Sequence, residues 1–248
     1  MTTHPYLQHG LSILRAQIQT SPSHAPFPTA ATALPFVTLS HETCAGATTL
    51  GHALVPLLNE HFGSGDSSWM LLEKDLINQA LSLHHLPEHL AAYLPEDRLS
   101  ETKGLIGEMV GLHPPLWELE HRVAEAIQKF AKLGCVIMSG RAAHLITQEL
   151  PGGLHIRLVA PLATRIRRAQ RSLGFTPDAA RQYVLENDQA RERHLQTQFE
   201  QHANDPLLYD LVINTGHTSP ETAARLTLQA LIGRRESPPT EDQGANRS

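Results

Sequence analysis

The chain has 248 residues, 41% of them hydrophobic, and a net charge of −5; that is enough apolar material for one sizeable α/β domain and the wrong sign for a general nucleic-acid binder. Its two cysteines, Cys44 and Cys135, stand far apart in no metal-like spacing, so reduced, intracellular thiols are expected. No apolar stretch approaches the ~20 residues of a membrane span, and no basic segment followed by an apolar run marks a secretory signal; the expectation is a cytoplasmic protein.

Residues 5–18 (PYLQHGLSILRAQI) place Leu7, Leu11, Leu14 and Ile18 three to four apart, the pattern of a short amphipathic helix. A Pro/Ser/Ala-rich linker follows, so residues 1–34 read as a leading segment and the compact domain is expected over 35–233. The apolar, β-branched run from Phe36 to Leu39 predicts a strand over 36–40, and a helical pattern over 48–61 opens at Thr48 and Thr49. Strand, small-residue loop and helix together are the setting of a Walker A loop, G-x-x-x-x-G-K-[ST], where backbone amides and the helix N-terminus cradle phosphate oxygens. In FVTLSHETCAGATTL, His41 stands at the first glycine position, Gly46 at the second, Ala47 at the lysine and Thr48 at the hydroxyl. Thr43, Cys44, Ala45, Gly46, Ala47, Thr48 and Thr49 thus have the layout of an anion cradle without its strongest charge. An ordinary strand-to-helix turn is the competing account.

Beyond the turn GSGDSS, a short apolar piece at 69–72 precedes a helix at 73–83, and residues 86–112 are ambiguous between one and two short helices. A long helix from Pro114 to Leu133 should end at Gly134. CVIMS (135–139) reads as a buried strand and HIRLVA (155–160) as another. Helices follow at 162–172 and about 177–202, the second with Thr176 as N-cap and Pro177 in its first turn. YDLVIN (209–214) is a strand and residues 220–232 a closing helix, before a polar, proline-containing tail at 234–248 that reads as disordered. Strands separated by helices imply a mostly parallel sheet covered on both faces.

Arginines are concentrated at 141, 157, 165, 167, 168, 171, 181, 191 and 193, which could make a local anion site on an acidic chain. Arg165, Arg168 and Arg171 recur every three residues along one helix flank, and Asp188 and Arg191 lie three apart on another helix. A solvated basic face and a local ion pair are the respective alternatives. Sixteen histidines are present, yet no HExxH occurs, and the pair His85 and His89 lacks an identifiable third ligand. Trp69 and Trp117 read as packing residues, and Cys44 as a small helix-entry residue.

These pieces in this order resemble the cytidylate kinase-like family, relatives of bacterial CMP kinases within the P-loop nucleoside monophosphate kinases. The resemblance spans roughly residues 35–232 and rests on FVTLSHETCAGATTLGHAL, WMLLEKDLINQAL, VIMSGRAAHLI, HIRLVAPLATRIRRA, GFTPDAARQYVLENDQARERHL and YDLVINT. It implies a P-loop-type three-layer α/β sandwich with a five-stranded parallel sheet, order 2-3-1-4-5. A helical monophosphate-binding arm and an arginine-bearing lid over about 161–205 come with it. It implies ATP and Mg²⁺ as cofactors and a nucleotide or small phosphorylated acceptor such as CMP or dCMP. Loop residues 43–49 would hold ATP, with Thr48 (or Thr49) on the metal and Asn214, Thr215 and Gly216 near the adenine edge. Arg141, in the position of a family Gly-Arg-Asp, would hold the acceptor phosphate together with Asp188 and Arg191, while Arg165 and Arg168 act on the transferring phosphoryl group. Ala142 replaces that motif's aspartate, His41 an arginine in the family's Ser-Arg-Glu start, and Cys44 a loop glycine. A non-catalytic nucleotide- or anion-binding module that keeps the fold is the alternative function.

Overall fold

A computed structural model describes residues 33–63, 68–73 and 116–236. The expected helices at 5–18, 73–83 and 86–112, the histidines at 85 and 89, and the tail beyond 236 lie outside the described residues, as does the side chain of Trp117. Within them the chain runs β1 (Phe36–His41), α1 (Ala47–Phe62), β2 (Met70–Leu72), α2 (Leu116–Leu133), β3 (Val136–Ser139) and α3 (Ala143–Ile146). It continues through β4 (Gly153–Val159), α4 (Leu162–Leu173), α5 (Pro177–Phe199), a 3₁₀ turn (Pro206–Leu208), β5 (Leu211–Asn214) and α6 (Pro220–Glu236).

The five strands form one parallel sheet in the order β2-β3-β1-β4-β5, as the resemblance implied. β1 is central: Phe36 stands beside Val136 on one side and Gly153 on the other. Its first five residues are buried, the expected state of a strand covered on both faces. Alternation divides the sheet residues between the faces. Val37, Leu39, Ile137, Leu154, Ile156 and Leu158 join Leu50, Leu54 and Leu58 of α1 and Ala223, Ala224 and Leu231 of α6 in one apolar cluster. Each such leucine contributes about 1.5–3 kcal/mol on burial, which lets α1 continue through the exposed Pro56 despite a lost hydrogen bond. Residues of the alternate set are partly polar: Thr38 Oγ1 is 2.8 Å from His155 Nδ1, and Arg157 donates to Ser40 Oγ at 2.9 Å.

Several boundaries differ from expectation for local reasons. Cys135 falls outside β3, because it and Gly134 leave α2 with φ of 52° and 71°; the Gly134 amide donates to the Phe130 and Ala131 carbonyls as a helix-ending glycine should. β4 starts two residues early at Gly153. β5 starts late at Leu211, since Asp205 caps the 3₁₀ turn before it and the Asp210 carboxylate accepts the His155 amide. Helix α6 runs to Glu236, beyond the expected end at 232. Trp69 is buried against Phe62, as a packing residue.

The pair α4 and α5 forms a hairpin closed by Gly174 and by Thr176, whose hydroxyl accepts the Ala179 amide. Ala169, Ala180 and Val184 pack at its centre with Cys44 of the β1–α1 loop against them. The segment expected to be a lid is therefore seated on the loop expected to hold phosphate.

Candidate phosphate-binding site

The β1–α1 loop leaves the C-terminal end of the central strand, between β3 and β4, the crevice where open α/β sheets place ligands. Gly46 enters α1 with φ of 97°, and no side chain caps the helix. Within the loop the Glu42 amide donates to Leu158 O, the Thr43 amide to Asp188 Oδ1 and the Ala45 amide to Glu42 O. No acceptor among the described residues takes the amides of Cys44, Gly46, Ala47 or Thr48. Those amides and the helix N-terminus are suited to phosphate oxygens. Cys44 has φ of 60°, the left-handed region in which glycine is unstrained and cysteine is not. Burial pushes its thiol pKa up, with Asp188 adding to the rise against Arg191, Arg165 and Arg168, so it is not held as a reactive thiolate.

Three arginines reach this loop from the hairpin. Arg165 is 7% exposed; its Nε donates to Ala160 O at 2.9 Å and lies 3.2 Å from Glu42 Oε2. Its Nη1 pairs with Asp188 Oδ2 and approaches Thr43 O at 3.5 Å. Glu42 also accepts the Ala160 amide at 2.9 Å. Arg165, Asp188 and Glu42 thus lock the loop to both ends of the β4–α4 connection. Arg168 is more open. Its Nη1 donates to Thr215 Oγ1 at 2.9 Å and approaches Cys44 O at 3.4 Å, and its Nη2 donates to Thr215 O at 2.8 Å. A Cβ placed on Gly46 would sit 3.6 Å from Arg168 Nη1, so this guanidinium stands directly beside the loop. Partial burial first, then Arg171, lower its pKa, but an arginine stays protonated. Arg191 donates to Thr43 Oγ1 at 3.0 Å.

Arg141 follows β3 in a run of three left-handed residues, Gly140, Arg141 and Ala142, with φ of 84°, 56° and 50°. Two of these lack the freedom of glycine, at about 1–2 kcal/mol each, and such strain often accompanies function. Arg141 and Arg191 both line a cavity of about 40 Å³ together with Ser40, His41, His144 and Arg157. A second hollow of about 270 Å³ has Arg141, His194, Glu120 and Phe199 in its wall. Burial raises the Glu120 pKa against the opposing influence of Arg141.

The expected site residues accordingly fall into linked groups. Thr43, Asp188 and Arg165 meet in one network, Arg168 meets Cys44 beside Gly46, and Arg191 joins the loop to the cavity walled by Arg141. Ala45 O accepts Thr215 Oγ1 at 2.6 Å, while Thr48 and Thr49 are exposed on the first turn of α1. Asn214 turns inward on its own loop, accepting the Gly216 amide through Oδ1. The geometry adds Glu42 and His144, which were not expected, and gives contacts to Arg157, expected only as one of a concentration of arginines, and to Thr215, expected only beside the adenine edge. Glu42 in SHET and Thr215 after the last strand carried a faint signal from their positions next to strand ends, Arg157 one from the arginine concentration around it, and His144 none. Among the described residues no cluster of His, Cys, Asp and Glu could hold a metal ion, and no helix is long and apolar enough to cross a membrane.

Comparison with known proteins places the fold and the family. A crystal structure of an uncharacterized protein from Eubacterium ventriosum aligns with a TM-score of 0.57 at 18% identity, over 81% of this chain and 99% of that one, a likeness of fold. The cytidylate kinase of Pyrococcus horikoshii is 30% identical over 151 residues, covering 58% of this chain and 75% of the relative. A uronate isomerase of Corynebacterium glutamicum is 31% identical over 93 residues, and the chain spans only 18% of its length. Residues 36–217 match the sequence profile of the cytidylate kinase-like family, and the chain belongs to that family.

Proposed function

We propose that the protein is an ATP-dependent phosphotransferase that moves the γ-phosphoryl group to a nucleoside monophosphate, such as CMP or dCMP, or to another small phosphorylated acceptor. The single observation that carries this reading is the set of open amides at Cys44, Gly46, Ala47 and Thr48 with the Arg168 guanidinium beside them. That guanidinium is a candidate replacement for the lysine missing at Ala47.

The loop fits ATP, because the uncapped helix start and Gly46 at φ of 97° let phosphate oxygens approach backbone amides. The Thr48 hydroxyl would hold Mg²⁺, which when bound supplies charge neutralisation at the phosphates. Cys44, Gly46, Ala47 and Thr48 would grip the β- and γ-phosphates by their amides. Arg141 and Arg191 would hold the acceptor phosphate, and Arg168 would stabilise charge on the phosphoryl group as its bond to ADP breaks and one to an acceptor oxygen forms. Arg165, tied to Glu42 and Asp188, positions the loop and lid. The 270 Å³ hollow beside Arg141 suits the nucleoside of the acceptor. Ala142, lacking a base-reading carboxylate, widens the range of acceptors.

Ala47 and Cys44 favour a second reading, a nucleotide-binding module without turnover. One experiment separates the two: ADP release with ATP, Mg²⁺ and a panel of monophosphates. Acceptor-dependent release above background supports the kinase; saturable ATP binding with no release from any acceptor supports the module.

A further inference from the structure

Arg157 lies on β4 and is 7% exposed. Among the described residues no carboxylate lies within ion-pair distance of it; its contacts are a hydrogen bond to Ser40 Oγ at 2.9 Å and the ring of Tyr209, 5.8 Å away. Its Nε is buried without a hydrogen-bond partner among the described residues. His144, only 4% exposed, likewise keeps Nε2 without a partner among the described residues, with its ring tilted by 32° and 4.9 Å from that of the same Tyr209. Both residues line the 40 Å³ cavity that Arg141 and Arg191 also wall. A buried cation without a counter-charge is strongly disfavoured, and structures resolve it by pairing or by binding an anion. Water alone supplies hydrogen bonds, but it cannot neutralise the buried Arg157 guanidinium. The volume exceeds the roughly 10–15 Å³ that one water occupies on this measure, so there is room for a compact group.

We propose that Arg157 and His144 form the floor of a subsite for a compact oxyanion, and that they select acceptors carrying such a group at the end that enters the crevice. The inference deepens the acceptor reading above, on which its link to catalysis rests, although anion binding at the floor requires no turnover. Ser40 Oγ, already held by Arg157, adds a hydroxyl to the same wall. In acceptor binding the oxyanion supplies the charge that Arg157 lacks, so an acceptor without it leaves the cation unpaired and is rejected. Phosphate and carboxylate share this chemistry; the tetrahedral group offers oxygens to more of the surrounding donors.

The test uses the full chain and follows the thermal unfolding midpoint against inorganic phosphate, acetate and CMP, at ionic strength matched with chloride. Expected is a saturable rise with phosphate or CMP and a weaker one with acetate; a response to acetate alone would name a carboxylate as the group instead of a phosphate. Arg157→Met removes the buried charge while keeping apolar bulk against Tyr209. It should weaken phosphate binding at least tenfold, while the midpoint without anion stays equal or rises. Arg157→Lys provides a second variant that keeps the charge without the planar fork, with intermediate affinity. Equal phosphate affinity in wild type and both variants, or no saturable response to any of the three anions in wild type, overturns the subsite. The parallel ADP assay keeps the two readings apart. Turnover without Arg157-dependent anion binding removes the subsite alone, and Arg157-dependent binding without turnover removes the kinase alone.

Discussion

Arg165 and Arg157 are buried to the same degree, each 7% exposed, yet they live in opposite electrostatic settings. Arg165 faces two carboxylates, Glu42 and Asp188, and two carbonyls. Arg157 has a hydroxyl and an aromatic ring. Depth of burial therefore does not assign a role to an arginine; the counter-charge does. A paired guanidinium is scaffold, holding the β1–α1 loop to the α4–α5 hairpin, whereas an unpaired one is a request for an anion. Arg168, half in each condition, bonds Thr215 and approaches the Cys44 carbonyl while standing beside Gly46, which is why a role on phosphate is proposed for it.

The largest expected effect breaks the paired side of this contrast. Arg165→Ala strands Glu42 and Asp188 and should cost about 3–5 kcal/mol in denaturant unfolding, whereas Arg157→Met should leave stability equal or higher; similar losses in both would erase the distinction. The unpaired side has a pH signature. Burial first, then His155 and Arg157, lower the His144 pKa to about 3, so the native state holds this ring neutral while the unfolded chain binds a proton near the ordinary value. The unfolded state then takes up more protons below that value, and stability falls as the pH drops from about 6.5 towards 3. At pH 5 the loss from this group is about 2 kcal/mol. Unfolding free energies at pH 7 and pH 5 for wild type and His144→Asn measure it, and an unchanged slope in the variant would remove His144 from the account. Smaller still, Thr176→Ala removes the cap of α5 and should lower stability by about 1 kcal/mol. Cys44→Gly relieves the left-handed φ but frees the unfolded chain; a net gain below about 1 kcal/mol in the same unfolding assay is expected, and a clear loss would mean that thiol packing against Ala169 and Val184 outweighs the strain.

Much of this was legible in sequence because it is local. The apolar run of β1, the threonine–proline start of α5 and the glycine after α2 each announce themselves within a few residues, and the order of strands and helices determines a parallel sheet. Short elements were less legible: α3 is four residues long, too few for a helical period, and the start of β4 at Gly153 runs against the residue's weak strand preference. The arrangement of the candidate site was half readable. Arg141, Arg168 and Arg191 stand at strand ends or on helix flanks where spacing draws notice. The bond from Asp188 to Thr43 spans 145 residues, and that from Arg157 to Ser40 spans 117; such partners are chosen by sheet register and helix packing. In HIRLVA the arginine looks like a polar interruption of an apolar strand, and nothing nearby in sequence says that it lacks a carboxylate.

The account turns on whether the Arg168 guanidinium performs the work of the absent loop lysine. The direct measurement is steady-state ADP release at saturating ATP and acceptor for wild type and Arg168→Ala, with unfolding curves to verify that the variant folds. The account predicts measurable acceptor-dependent turnover that falls on the order of 100-fold in a folded variant; turnover indistinguishable between the two proteins, or none in wild type, would contradict it.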